Sequence, residues 1–110
     1  MHENGTDRQE YIRQVLKAYR TTPSTTGQVR RADRFLAGQL FDEGVPLAAV
    51  ANALVLAAAR RVLRAADAAP LEPVRSLYYF RPVISEVMSS TVDNDYFDYL
   101  RGKLEMKNNR

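Results

Sequence analysis

Apolar residues recur along most of this chain at the three- and four-residue spacing of a helix, and no stretch shows the two-residue alternation of a half-buried strand. Ile12, Val15, Leu16 and Tyr19 define a first helix, with Thr6 or Asp7 as its cap. The run Thr21-Thr22-Pro23-Ser24-Thr25-Thr26-Gly27 ends it, because these residues favour turns and Pro23 disfavours helix at Thr22. Thr25 or Thr26 is expected to open a second helix with Ala32, Phe35, Leu36 and Leu40 on one face. Gly44 takes the C′ position after it, and Pro46 the first position of a third helix.

The third helix carries the strongest signal. Leu47-Ala48-Ala49-Val50-Ala51-Asn52-Ala53-Leu54-Val55-Leu56-Ala57-Ala58-Ala59 is apolar around nearly its whole circumference, so other elements must surround it. It ends in Arg60, Arg61 and Arg64 and fades over residues 65–70. A fourth region begins near Pro73, with Val74, Leu77, Tyr78, Ile84, Val87 and Met88; Pro82 must kink it or split it in two. Ser89, Ser90, Thr91 and Asp93 mark the next boundary, and Tyr96, Phe97, Leu100 and Leu104 line a last helix. The expectation is an all-α, compact single-domain bundle of about five helices around a central apolar helix at residues 47–63, with residues 1–6 and 107–110 frayed.

Composition narrows the chemistry. At 110 residues the chain suits one domain with one core. It has no cysteine, and His2 is its only histidine, which leaves thiol catalysis, thiolate zinc and His-centred triads without their groups. The carboxylates are scattered and none comes with an orienting base. The reading is a non-enzyme without cofactor or metal. The N-terminal residues lack the basic and apolar regions of a secretory signal, and no run reaches the roughly 18 apolar residues of a membrane span. The expected location is cytoplasmic, with no membrane partner.

Charge then adds a candidate partner. The net charge is +3, but residues 8–81 hold twelve basic against six acidic side chains. Arg30, Arg31 and Arg34 cluster at the start of the second helix, and Arg60, Arg61 and Arg64 at the end of the third. Antiparallel neighbours would put both clusters at one end of the bundle. Arginine's planar fork suits phosphate. Arginines in a last helical turn also complement the helix dipole, and Asp33, Asp67 and Glu72 offer them acidic partners. Arg75-Ser76-Leu77-Tyr78-Tyr79-Phe80-Arg81 interleaves aromatics with arginines, a combination that can stack on bases. Three consecutive aromatics spread over about 200° of a helix, however, so at least one must face the core. Tyr96, Phe97 and Tyr99 lie among Asp93, Asp95 and Asp98 and suit a basic surface better than nucleic acid.

The turn Asp42-Glu43-Gly44-Val45-Pro46, flanked by Leu36, Leu40, Val50 and Leu54, has the spacing of a helix-turn-helix. A DNA-reading second helix needs exposed polar residues near its start. Here that stretch is Leu47-Ala48-Ala49-Val50-Ala51, which reads as an ordinary helical hairpin.

The segments Tyr11-Ile12-Arg13-Gln14-Val15-Leu16, Arg31-Ala32-Asp33-Arg34-Phe35-Leu36-Ala37, Gly44-Val45-Pro46 and Val74-Arg75-Ser76-Leu77-Tyr78-Tyr79-Phe80-Arg81-Pro82-Val83-Ile84 resemble a group of small bacterial helical proteins associated with mobile genetic elements. The helix order and the Ser76-Leu77-Tyr78-Tyr79 element are also similar to helical C-terminal modules of replication-initiation and primosomal loader proteins. That second resemblance implies contact with DNA and a protein partner; the winged-helix domain of those proteins has no counterpart here. The expected function is accessory nucleic-acid binding, with phosphates held by Arg30, Arg31, Arg34, Arg60, Arg61 and Arg64 and added contacts from Arg75, Tyr79 and Arg81. The alternative is a protein-interaction module or homodimer that uses the same arginines in ion pairs.

Overall fold

The third helix is where the other elements meet. The computed structural model describes residues 4–64, 67–89 and 94–108. It contains α1 (Asn4–Arg20), α2 (Arg31–Asp42), α3 (Leu47–Val62), a 3₁₀ turn at Leu77–Phe80, α4 (Arg81–Met88) and α5 (Asn94–Asn108). Helices α1, α4 and α5 and the 3₁₀ turn all pack on α3. Val50, Ala53, Leu54 and Ala57 form one buried stripe of α3, within a core shared with Val15, Leu16 and Tyr19 of α1, Leu36 and Leu40 of α2, and Leu77, Phe80 and Ile84. Ala58 and Ala59 turn the other way and bury Leu100 and Leu104 of α5 in a second, smaller cluster. A helix apolar on every side is explained by this double use. The fold is an all-α single-domain bundle of five helices.

Helices α1 and α2 form an antiparallel hairpin fixed at its far end by side chains. The Arg8 guanidinium forks onto Asp42, with both N–H···O distances 3.0 Å. It lies directly over Gly38, where an added Cβ would fall 2.6 Å from Arg8 Nη2. The Tyr11 hydroxyl donates to the Val45 carbonyl at 2.8 Å, and its ring meets Phe41 edge-on. Between α2 and α3 the chain closes as the Gly44 signal requires. Gly44 adopts φ +78°, its N–H donates to the Phe41 carbonyl, and the Val45 N–H donates to that of Leu40.

At the near end two irregular segments are tied together. The Thr26 N–H donates to the Val74 carbonyl (2.9 Å) and the Val74 N–H to that of Ser24 (2.7 Å), which forms a single parallel bridge. Below it lies Asp33, fully buried. Its Oδ2 accepts the Arg30 N–H at 2.9 Å; its Oδ1 accepts the Leu77 N–H at 2.8 Å and the Ser76 hydroxyl at 3.2 Å. Ser76 Oγ in turn accepts the Tyr78 N–H and caps the 3₁₀ turn. One carboxylate therefore caps α2 and anchors the segment leading to α4.

Several boundaries differ from the sequence expectation. Helix α2 starts at Arg31, not at Thr25 or Thr26, because those threonines are bridged to Val74, Gly27 turns the chain at φ +80° and Arg30 is still extended. Its buried stripe is Asp33, Leu36, Ala37 and Leu40, which leaves Ala32 and Phe35 exposed. Asp7 lies inside the first turn of α1, not at a cap. Pro46 is the N-cap of α3, one position before its expected place. Residues 73–76 are extended, and Pro82 falls in the first turn of α4, so the fourth region is split. Phe97, Leu100 and Leu104 are buried, but Tyr96 is exposed. Helices α1 and α5 run into the segments expected to fray, from Asn4 and to Asn108. The Thr6 side chain, the end of the third-helix pattern at Ala65 and Ala66, and the boundary residues Ser90, Thr91 and Asp93 lie outside the described residues.

Removing the Asp33 carboxylate strands buried N–H groups, each worth about 1–3 kcal/mol. Asp33→Ala is expected to lower the free energy of unfolding in urea by about 3 kcal/mol or more, and Ser76→Ala by about 1 kcal/mol. Asp33→Asn should recover little, because an amide offers one oxygen where two are used. Burial and the nearby Glu43 raise the Tyr11 phenol from its usual 10 to about 12. A phenol is neutral when protonated, so this stabilisation is whole below about pH 10 and lost as pH rises toward 12. Absorbance titration should show a late-ionising tyrosine that disappears in Tyr11→Phe.

Candidate nucleic-acid interface

The two arginine clusters meet different fates. Arg30 is the N-cap of α2, Arg31 its first residue and Arg34 its fourth; the inward stripe through Asp33, Leu36 and Leu40 leaves all three exposed. Among the described residues no carboxylate comes within ion-pair distance of any of them. They crowd the positive end of a helix dipole, where a cation is disfavoured by about 0.3–1 kcal/mol. Arg31 and Arg34 are also a like-charged pair three residues apart within the helix. Among the described residues the one carboxylate in this first turn is that of Asp33, whose oxygens are turned inward to amides and a hydroxyl.

The cluster ending α3 is built into the fold. Arg60 makes a two-pronged contact with Glu86 of α4, which raises the arginine's pKa and holds the carboxyl below its ordinary value. Arg61 donates to the Tyr79 hydroxyl at 3.2 Å and to the Glu72 carbonyl. Its guanidinium carbon lies 5.4 Å from the centre of the Tyr79 ring. Arg64 donates to the Ala69 carbonyl at 2.7 Å. Arg60 thus ties α4 to the end of α3, Arg61 ties down the connector between α3 and the 3₁₀ turn, and Arg64 makes a bond within that connector.

The remaining predicted residues divide likewise. Tyr79 is half exposed but engaged by Arg61, while Phe80 enters the core against Tyr19. Arg75 is exposed, with a long 3.8 Å contact to Glu72. Arg81 belongs elsewhere: it pairs with Glu43 at 2.7 Å, beyond the other end of α2. The acids considered as arginine partners fare differently. Asp33 holds backbone instead, and Glu72 contributes its carbonyl to Arg61.

One connector nevertheless joins the two clusters. Asp33, within the Arg30-Arg31-Arg34 cluster, holds Ser76 and Leu77, and Arg61 holds Glu72 and Tyr79. Two open grooves of about 410 and 510 Å³ run along it and share Arg61, Leu71 and Tyr79 as lining. The 72–79 segment thus has contacts with an element of each cluster, Asp33 on α2 and Arg61 on α3, and Arg75 belongs to that segment. Helix α3 presents no polar reading face, since Val50 and Leu54 are buried. Among the described residues, no group of three His, Cys, Asp or Glu could hold a metal ion.

Two residues of this end escaped the sequence reading, Asp33 as an anchor and Phe35 as an exposed aromatic. The signal was the phase of the stripe. Positions 33, 36, 37 and 40 satisfy helical spacing as well as 32, 35, 36 and 40 do, and only packing decides between them.

The two fates separate in stability. Arg61→Ala should lower the free energy of unfolding by about 1–2 kcal/mol, through the lost bond to a carbonyl and the lost ring contact. Arg31→Ala and Arg34→Ala should leave it unchanged or raise it slightly; a large loss from either would give that arginine a structural role. No protein-family model, curated protein or solved structure matches this chain.

Proposed function

We propose that this chain is a non-enzymatic accessory protein that binds nucleic acid through phosphate contacts made by Arg30, Arg31 and Arg34, with Arg75 beside them. The observation that carries this reading is the dipole-opposed placement of the three helix-start arginines, which have no carboxylate partner among the described residues. Where local electrostatics are unfavourable without a compensating contact in the fold, an external partner is the physical reason to look for. A phosphate backbone supplies the missing negative charge at several positions at once and releases condensed counterions, which gives affinity without base specificity. Arg61 and Arg64 shape the neighbouring groove while remaining tied to the connector. The resemblance to small proteins of mobile elements fits an accessory role in DNA handling.

Salt dependence tests the reading. Binding to short oligonucleotides should be measurable at low salt and fall steeply as salt rises. Replacing Arg30, Arg31 and Arg34 together by Gln should reduce the slope of log K against log salt by about 2, at roughly 0.7 per single-strand phosphate, while the melting temperature is kept. Absence of binding at low salt would remove the proposal and leave the alternative of a protein-interaction module.

A further inference from the structure

Phe35 is 63% exposed, although it lies mid-helix in a fold whose other phenylalanines of α2, the 3₁₀ turn and α5 are partly or fully buried. It stands one turn beyond Arg31 on the same face of α2 and next in sequence to Arg34, both exposed and unpaired among the described residues. An exposed aromatic ring and two free guanidinium groups thus share one small surface.

Charge selects what covers the ring. A second copy docking through this face would bring three further arginines against these three with no acid to separate them. Of the other exposed aromatics, Tyr79 is already engaged by Arg61, Tyr78 is next to it in the 3₁₀ turn, and Tyr96 and Tyr99 on α5 have Asp95 and Asp98 as neighbours in sequence, with Lys103 over the Tyr99 ring. Phenylalanine has no hydrogen-bonding atom, so the ring offers a flat apolar face only. The partner that presents flat faces between regularly spaced anions is a nucleic-acid strand, and only an unpaired strand leaves those faces open.

The geometry points to Phe35 as a stacking platform for an unpaired base of a single strand, with the flanking phosphates held by Arg31 and Arg34. This rests on the reading of the helix-start arginines as phosphate ligands and adds the substrate class, single-stranded over double-stranded. Stacking on a featureless ring tolerates every base, so the preference is for strand state and not for sequence.

The chain contains no tryptophan, so Phe35→Trp places a single indole on this surface as a reporter. Oligo-dT is expected to quench its fluorescence on binding, whereas a duplex of equal length and polyglutamate are not. Phe35→Ala should weaken oligo-dT binding about tenfold with an unchanged salt slope, and duplex binding by less than twofold. If oligo-dT binds with the arginine-dependent slope but neither Phe35 variant responds, stacking is overturned and the phosphate reading stands. If nothing binds at low salt, the underlying reading itself fails. If polyglutamate quenches the indole as well as oligo-dT does, the surface serves an acidic protein and the proposal is overturned. Both variants change an exposed position, and circular dichroism checks that they fold.

Discussion

The fold depends on one buried carboxylate. Asp33 collects the Arg30 and Leu77 amides and the Ser76 hydroxyl within hydrogen-bonding distance, and so ties the start of α2 and the segment entering the 3₁₀ turn to one point. A charge with no exposed surface is tolerated only when its oxygens are fully used, and here they serve polar groups from two parts of the chain more than forty residues apart. The bridge between Thr25 and Val74 then adds the backbone pairing that holds the same two segments parallel. The start of α2, the 3₁₀ turn and the entry to α4 are thus placed by a single anchor. Of the arginines at this end, Arg30 is held by it directly through its backbone N–H.

The arginines show that residue type and clustering do not determine use. Arg60, Arg61 and Arg64 have the same spacing appeal as Arg30, Arg31 and Arg34, yet the former close contacts within the fold and the latter close none among the described residues. The difference follows from where each helix end points. The last turn of α3 meets a connector with free carbonyls and a helix carrying Glu86. The first turn of α2 faces outward, and its only acid has been drawn into the core. Cations at a helix C-terminus are also favoured by the dipole, whereas at an N-terminus they oppose it. Two clusters of one composition therefore have opposite energetic meaning.

Much of the architecture was legible in the sequence for simple reasons. The α3 pattern has one physical solution, burial on most sides, and Gly44 and Pro46 punctuate its start with little ambiguity. The start of α2 was not legible, because Thr25 and Thr26 carry the chemistry of helix caps and are used instead in a turn and a bridge. That choice depends on Val74, almost fifty residues away. Phe35 and Asp33 exchanged their expected places because a helical stripe can be drawn through either, and a buried aspartate is intelligible only once Ser76 and Leu77 are beside it. The candidate site followed the same rule. Which arginines exist and where they cluster is local information, whereas which of them have partners depends on Glu86, Glu72, Ala69 and Glu43, and so on the fold.

Helix α5 has a consequence of its own. Among the described residues it packs chiefly on α3, through Leu100 and Leu104 set against Ala58 and Ala59, with Arg101 bonded to Asn52 at the margin. Alanines let the helices approach closely but remove little apolar surface from water, so this contact is weak beside the main core. The contacts that position Arg30, Arg31 and Arg34 run through Asp33, Leu77 and Val74 and not through α5, so a weakened α5 contact is expected to leave the arginine-bearing end in place.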